Sequence, residues 1–221
     1  MQIEMQIIHI PQLISEVRNN MQADIRQQLS EALTNVDEQY ARLVTDSMTE
    51  VEAYPTPFLK HHQIYQVEHF NPNKPILFYV GLAPGKPAYV LTGHPENYVS
   101  LAKADTIVID SPQVAVDYAT AYLEVTRSMS QLFYLVRSAE EVKFRPNLTS
   151  EEAKQRASFI EKYRLVITAP TGKPKEQGYV VTTYTVREQA LERHSITVSK
   201  NGEITTEVTT LEQDLPLVYG L

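Results

Sequence analysis

The stretch Ala190-Leu-Glu-Arg-His-Ser-Ile-Thr-Val-Ser-Lys-Asn-Gly-Glu-Ile-Thr-Thr-Glu-Val-Thr-Thr-Leu211 decides the fold class of this chain. It is rich in Val, Ile and Thr, which favour β-strands. Its two halves flank Lys200-Asn201-Gly202, a turn sequence typical of a hairpin between antiparallel strands. We therefore predict strands at Ala190–Ser199 and Ile204–Leu211 that pair with each other.

The apolar pattern of this hairpin also predicts its register. A two-residue Asn-Gly turn would place Val198 and Ile204 on opposite faces, whereas a three-residue loop with a glycine bulge pairs them. Because one buried face fixes the register of a strand, we predict the three-residue loop, with Ile196 opposite Thr206. His194 then lies on the apolar face.

A short strand is expected at His62–Phe70, and further strands and helices from residue 76 onward. Ser111-Pro112 predicts a helix start, because Ser caps free N–H groups and Pro suits the first helical position. Thr149 and Glu152 have the spacing of a capping box for another helix. The other predicted strands are Ile76–Leu82, Ala88–Thr92, Thr106–Asp110, Leu165–Ala169 and Tyr179–Val186. Leu132–Val136 fits either a helix or a strand.

The N-terminal segment from Pro11 to Ser47 has apolar residues at steps of three or four and no glycine, which predicts a helix. Such a helix would be about 54 Å long, whereas a compact chain of this size has a diameter of about 44 Å. The helix must therefore break, at Asn19-Asn20 or Thr34-Asn35, project beyond its own domain, or pair with another chain.

Part of this apolar stripe alternates in steps of four and three, as in a short coiled coil. Two interpretations stay open: the stripe packs on the chain's own sheet, or it contacts another molecule. The residues that would form such an interface are Leu29, Leu33, Val36, Tyr40 and Leu43.

The charge distribution bears on the same question. Residues 1–50 carry eight acidic and three basic side chains, and residues 143–175 carry eight basic and three acidic ones. The two segments could attract each other within or between molecules, although two separately solvated faces would give the same counts.

Together these elements predict an α+β protein, with a long N-terminal helix followed by helices packed on a mainly antiparallel β-sheet. We divide the chain into an N-terminal helical segment at residues 1–50, a Pro-rich connector at 51–75 and an α+β sheet domain at 76–221.

The composition excludes several classes of function. The chain has no Cys, which rules out disulfides, thiolate metal sites and cysteine nucleophiles. No run approaches the roughly 18 apolar residues of a membrane-spanning helix, and the N-terminus lacks a signal-peptide pattern. We therefore expect a cytoplasmic protein without membrane contact. The pI of about 5.4 argues against nucleic-acid binding.

Several stretches resemble ligand motifs but fail on geometry. Gly81–Lys86 is one residue short of a phosphate-binding loop, and Pro87 replaces the Ser or Thr that binds magnesium; Thr171–Lys175 is likewise interpreted as a loop. His61, His62 and His69 cannot reach one metal ion from a single helix or strand. We therefore predict no metal and no cofactor. No known catalytic motif is present.

The sequence favours a non-enzymatic binding or assembly protein that self-associates or docks a protein partner through its N-terminal helix. The alternative is a small-molecule-binding protein or enzyme, with a pocket between the curved sheet and the Ser111 helix. The residues expected to line such a pocket are Tyr118, Tyr122, Tyr184 and His194. No catalytic residue can be assigned.

Overall fold

The computed structural model describes residues 10–72 and 75–218, with side chains from Gln22 onward. These residues form an α+β protein with five α-helices and two antiparallel sheets, in agreement with the predicted fold class. The helices are α1 (Ile10–Leu33), α2 (Glu38–Thr45), α3 (Pro95–Asp105), α4 (Pro112–Val125) and α5 (Ser150–Tyr163). The strands are β1 (Thr49–Tyr54), β2 (Gln63–His69), β3 (Ile76–Leu82), β4 (Tyr89–Val90), β5 (Phe133–Val136), β6 (Thr171–Lys175), β7 (Gly178–Arg187), β8 (Ala190–Ser199) and β9 (Ile204–Glu212).

The strands form two separate sheets. Sheet A has the order β1-β2-β3-β4. Sheet B has the order β5-β7-β8-β9, and β6 also pairs with β7. Strand β6 lies along the first half of β7 and β5 along its second half. Successive side chains of a strand point to opposite faces, and apolar residues occupy both faces: Phe78 and Tyr79 of β3 are buried in different cores.

The helices cover these faces, which gives five layers in the order α1 and α2, sheet A, α3 and α4, sheet B, α5. In the first core, Leu33 of α1 is buried with Phe78 of sheet A. The central core contains α3, α4 and the inner faces of both sheets, with Ala119 fully buried. In the third core, Phe159 of α5 is buried with Val186 of sheet B.

Helix α4 is apolar around most of its circumference because it lies between the two sheets. A helix with this pattern belongs in a protein interior. Its buried residues are Ala115, Tyr118, Ala119, Ala121, Leu123 and Val125. The predicted start is confirmed: the Ser111 side chain accepts a hydrogen bond from the Val114 N–H, and Pro112 is the first helical residue. The capping box at Thr149 and Glu152 is confirmed as well.

The β8–β9 hairpin has the predicted register, in which Val198 pairs with Ile204 and Ile196 with Thr206. Gly202 adopts a φ of 84° in the loop, a conformation that only glycine adopts readily. The Tyr118 hydroxyl donates a hydrogen bond of 2.8 Å to the Gly202 carbonyl. This bond fastens α4 to the hairpin turn.

The N-terminal helix is not continuous, and a break was one of the three outcomes that its length allowed. Helix α1 ends at Leu33, and the chain turns over residues 34–36. Asp37 then caps the first turn of α2 with its carboxylate. The break falls at Thr34-Asn35, one of the two positions that the sequence offered. It allows Val44 of α2 to be fully buried in the core with sheet A.

Two strand predictions were wrong. Residues 106–110 form a loop, in which Ile107 and Ile109 are buried without strand pairing. Leu165–Ala169 is a turn and loop, and the strand lies at Thr171–Lys175, where a loop was expected. Short β-branched runs become strands only where a neighbouring strand offers backbone partners, and β7 offers them at Thr171 and beyond. The ambiguous segment at 132–136 contains strand β5.

Sheet A crosses both predicted domain boundaries. The segment interpreted as a Pro-rich connector, residues 51–75, contains most of β1 and all of β2. Both strands belong to the same sheet as β3. The connector is therefore part of a sheet.

Asp105, at the end of α3, has no exposed surface. Its carboxylate accepts hydrogen bonds of 2.7–2.9 Å from the backbone N–H groups of Lys60, His61 and His62. The His62 ring donates a fourth bond through Nδ1 at 3.0 Å. Burial alone would raise the pKa of Asp105, but these hydrogen bonds outweigh burial and lower it. The carboxylate thus ties α3 to the segment that leads into β2.

We expect Gly202→Ala to destabilise the protein more than Gly85→Ala. Both glycines have positive φ, 84° and 68°, which costs an L-residue about 1–2 kcal/mol. At Gly202 an added Cβ would also lie 2.7 Å from Ile107 Cγ2, whereas at Gly85 it would meet no atom within 4 Å. Overpacking adds about 1–3 kcal/mol. Urea unfolding measures both variants, and equal losses would contradict the close packing of the hairpin turn.

We expect Asp105→Asn to lower the free energy of unfolding by roughly 2 kcal/mol or more at pH 7, because hydrogen bonds to a charged acceptor are strong. The folded-state pKa of Asp105 lies below its ordinary value of 3.8. The wild-type advantage is therefore present above that value and is lost as the pH falls through the folded pKa. Urea unfolding between pH 7 and pH 2 measures this. Asp110→Asn, at an exposed carboxylate, is the control, and a loss independent of pH would contradict the assignment.

Candidate functional site

Unsatisfied polar atoms are concentrated in one part of the core. Among the residues with described side chains, six buried side-chain nitrogen or oxygen atoms have no hydrogen-bond partner, and five of the six lie on β7, β8 and β9. They are Thr183 Oγ1, Arg187 Nε, Glu192 Oε2, His194 Nδ1 and Thr206 Oγ1. Arg187 Nε and Glu192 Oε2 lie 3.2 Å apart as an ion pair without hydrogen-bond geometry, so the atoms of this set without any polar partner are those of Thr183, His194 and Thr206. Buried polar atoms are normally paired. We call these five residues, together with Thr185, the His194 cluster.

The strand register places the His194 cluster on one face of sheet B. Thr183 is paired with His194, and His194 with Val208. Further along the same face, Val181 is paired with Ile196, and both are fully buried in the central core with α4. One face of the sheet is therefore apolar beneath α4 and polar beyond the end of this helix.

A cavity of about 220 Å³ lies over the polar half of this face. Sheet B lines it with Phe133, Arg187, His194, Thr206 and Val208. The last turn of α4 and the loop after it contribute Tyr122, Leu123, Thr126, Arg127, Ser128 and Gln131, and Pro95 of α3 completes the lining. The cavity exists because α4 ends before the inner face of sheet B does.

His194 borders this cavity with only 1% of its surface exposed. Its Nε2 lies 2.8 Å from Thr185 Oγ1 and 3.3 Å from Glu192 Oε2. An ionised carboxylate can only accept hydrogen bonds, so the contact with Glu192 favours a proton on Nε2. Nδ1 is then an unprotonated acceptor without a partner.

The imidazole of His194 is held in its neutral form. Burial is the main cause and lowers the pKa of His194 below its ordinary value. Glu192 raises the pKa in part, and Arg187 lowers it again. At pH 7 the ring therefore adds a polar hydrogen-bonding group to the cavity but no charge.

Two arginines border the cavity, and each is paired with a carboxylate that does not line it. Arg187 Nε is 3.2 Å from Glu192 Oε2, and its guanidinium lies 5.6 Å from the centre of the Phe133 ring. Arg127 Nε donates a bond of 3.1 Å to Glu124 Oε1. The charged groups that face the cavity are therefore both cationic.

These groups are suited to recognition rather than to nucleophilic attack. An activated Ser or Thr must be hydrogen-bonded to its base, and His194 Nδ1 has no such partner among the described residues. Thr185, which contacts the ring at Nε2, is fully buried and does not line the cavity. The site supplies hydrogen-bonding atoms, an apolar wall and two cations.

The structure brings together two of the four residues predicted to line a pocket, Tyr122 and His194. Tyr118 is fully buried in the central core, where its hydroxyl binds the hairpin turn. Tyr184 lies in the core with α5, on the opposite face of β7. Neighbouring residues of a strand face opposite sides, and Thr183 and Thr185 take the side of the cavity.

Sequence reasoning missed the arginines and the threonines of this site. Thr183, Thr185 and Arg187 follow Val181 at alternating positions, so polar residues continue a face that begins apolar. That switch was a usable signal on β7. No sequence signal marked Arg127, because only the packed fold brings the end of α4 to sheet B.

Most of the predicted N-terminal interface is occupied by the chain's own core. Four of the five interface residues pack there with sheet A: Leu29, Leu33, Tyr40 and Leu43. Tyr40 stacks on the Phe78 ring with a centroid distance of 4.1 Å. Leu29 and Leu33 are fully buried, so contact with another molecule through them would require α1 to leave its sheet, whereas Tyr40 and Leu43 are half-buried. Val36 is 48% exposed, and the stripe residues before Gln22 lie outside the described side chains.

The histidines that seemed to form a ligand cluster have separate structural partners. His62 binds Asp105, and His69 Nδ1 lies 3.0 Å from Thr49 Oγ1. Among the described side chains, those of residues 22–72 and 75–218, no three His, Asp or Glu could hold a metal ion. Within residues 10–72 and 75–218, no helix is long and apolar enough to cross a bilayer.

Comparisons of this chain with protein-family models, with curated proteins and with solved structures gave no match. The His194 cluster and its cavity are therefore the features of this chain that bear on its function.

We expect the free energy of unfolding to rise with pH in the region of pH 6.5, through His194. Its folded-state pKa is lowered from 6.5, so that near this pH the unfolded chain binds a proton that the folded chain does not. The contribution is present above pH 6.5 and is lost as the pH falls toward the folded pKa.

Urea unfolding between pH 5 and pH 8 tests this expectation. His194→Gln should flatten the rise, and His61→Gln, at an exposed ring, should leave it unchanged. The same slope in both variants would contradict a neutral, buried His194.

Proposed function

We propose that this protein binds a small organic molecule in the cavity bordered by the His194 cluster. The observation that carries the proposal is the concentration of unsatisfied polar atoms at this one place. Three of the five residues, Arg187, His194 and Thr206, line the cavity directly. Because these atoms have almost no accessible surface, a bound molecule would become a hydrogen-bond partner of those on the lining only after the lining side chains shift.

The polar residues of this cluster cost more free energy than apolar residues of the same shape would. A buried polar atom without a partner costs about 1–3 kcal/mol. Thr183 has nearly the shape of Val, and Val181 shows that the same face of β7 accommodates Val. The polar residues therefore carry a cost that packing alone does not require. Local rules of this kind are most often broken at functional sites.

The size of the cavity bounds the ligand. Its volume is about 220 Å³, below the roughly 300–1,000 Å³ of pockets for drug-sized molecules. A water molecule occupies about 30 Å³, so the space exceeds what a single bridging water needs. These volumes favour a ligand of metabolite size.

We favour binding over catalysis, because His194 Nδ1 is a free acceptor and, among the described residues, no nucleophile is hydrogen-bonded to this nitrogen. The proposal takes up the alternative expectation, a small-molecule-binding protein with a pocket between the sheet and the Ser111 helix. Self-association through the N-terminal helix stays a prediction, as does a cytoplasmic location.

We expect Val208→Trp to abolish ligand binding, since Val208 lines the cavity and is 49% exposed at its edge. The indole would fill space that the ligand needs. The matched control is Val218→Trp at a residue 44% exposed and outside the lining. A set of fluorinated aromatic fragments, neutral and charged, would be observed by ¹⁹F NMR with wild type and both variants.

At least one fragment should bind wild type and Val218→Trp but not Val208→Trp. Binding by no fragment, or equal binding to the two tryptophan variants, would refute the proposed site.

A further inference from the structure

We propose that the natural ligand of this cavity is a small organic anion, with a carboxylate or phosphate on an apolar body, and that Arg127 and Arg187 hold its acidic group. This inference rests on the proposed function and adds the chemical class of the ligand.

The charge that faces the cavity is positive. Arg127 and Arg187 line it, whereas their partners Glu124 and Glu192 do not. His194 is neutral for the reasons given above. A ligand in this space therefore meets two positive charges directly, and the negative charges lie farther away. An anion is the ligand that this arrangement favours.

Each of the two guanidinium groups is held by its glutamate through one nitrogen. Both ion pairs join Nε to a glutamate, at 3.1 Å for Arg127 and 3.2 Å for Arg187. In each pair the guanidinium atom that meets the glutamate is Nε and not one of the outer Nη atoms. A guanidinium held through Nε keeps its outer N–H groups for a second partner, and their fork matches the oxygens of a carboxylate or phosphate.

The dipoles of helices α3 and α4 do not set the charge of the cavity. Helix α4 ends at the cavity and helix α3 begins there, at Pro95. The negative end of one helix dipole and the positive end of the other are therefore both nearby and oppose each other. The two arginines decide the sign of the site.

The apolar part of the lining indicates what the rest of the ligand is like. Leu123, Phe133 and Val208 give the cavity an apolar wall. The Arg187 guanidinium lies over the Phe133 ring, so one side chain contacts both the charged and the apolar part of the lining. A free inorganic anion would leave this wall uncovered, whereas an organic acid would cover it and use the arginines as well.

The test uses benzoate and benzamide, which have nearly the same shape and differ in charge, with phenyl phosphate as a separate arm. Dissociation constants would be measured by NMR titration of the full-length protein at pH 8, where His194 is neutral. The variants are Arg127→Gln and Arg187→Gln. Arg193→Gln, at an exposed arginine of the neighbouring strand, is the control, and Arg187→Lys restores the charge without the fork. Thermal unfolding would confirm that each variant is folded.

We expect benzoate, phenyl phosphate or both to bind wild type at least about tenfold more tightly than benzamide. Each cavity variant should lose about tenfold in affinity for the anion, Arg187→Lys should lose less, and Arg193→Gln should lose nothing. Binding should weaken at high salt. Equal binding of benzamide and benzoate would overturn the anion inference and leave the binding function standing. If none of the probes binds and no fluorinated fragment binds, both proposals fall.

Discussion

The burial of helix α4 between two sheets is the constraint on which the rest of this structure depends. A helix in that position must be apolar on nearly all sides, and every polar group that it buries needs a partner. Two tyrosine hydroxyls meet this requirement, because Tyr98 donates to the carbonyl of Tyr118, and Tyr118 donates to the carbonyl of Gly202. These bonds connect α3, α4 and the β8–β9 turn within one core.

The same helix explains why a site exists. Its 14 residues span about 21 Å, whereas the ten residues of β7 span about 33 Å. Helix α4 begins over β6, where its Pro112 carbonyl approaches Gly172, and it ends near β5. The face of sheet B beyond that end is not covered by the helix. The residues on it change from Val181 and Ile196 to the polar residues of the His194 cluster, and the two proposals made above concern this part of the sheet.

The N-terminal helices show why length alone did not predict their arrangement. The size argument required a helix from Pro11 to Ser47 to break, project or pair with another chain, and all three outcomes were physically allowed. The break at Thr34-Asn35 was favoured once α2 could bury Val44 against sheet A and gain a cap from Asp37. That gain depends on β1, which the sequence pattern had assigned to a connector.

Features set by a few neighbouring residues could be predicted from the sequence. The register of the β8–β9 hairpin, the caps at Ser111 and Thr149, and the position of His194 on an apolar face all follow from turn chemistry and from the alternation of side chains along a strand. The site itself required the tertiary structure, because Arg127, Arg187 and Thr206 are distant in sequence and meet only where α4 stops short of sheet B. Local periodicity indicates which face of an element is buried, but it does not indicate how far the neighbouring element extends over that face. For this protein that extent decided where the cavity lies.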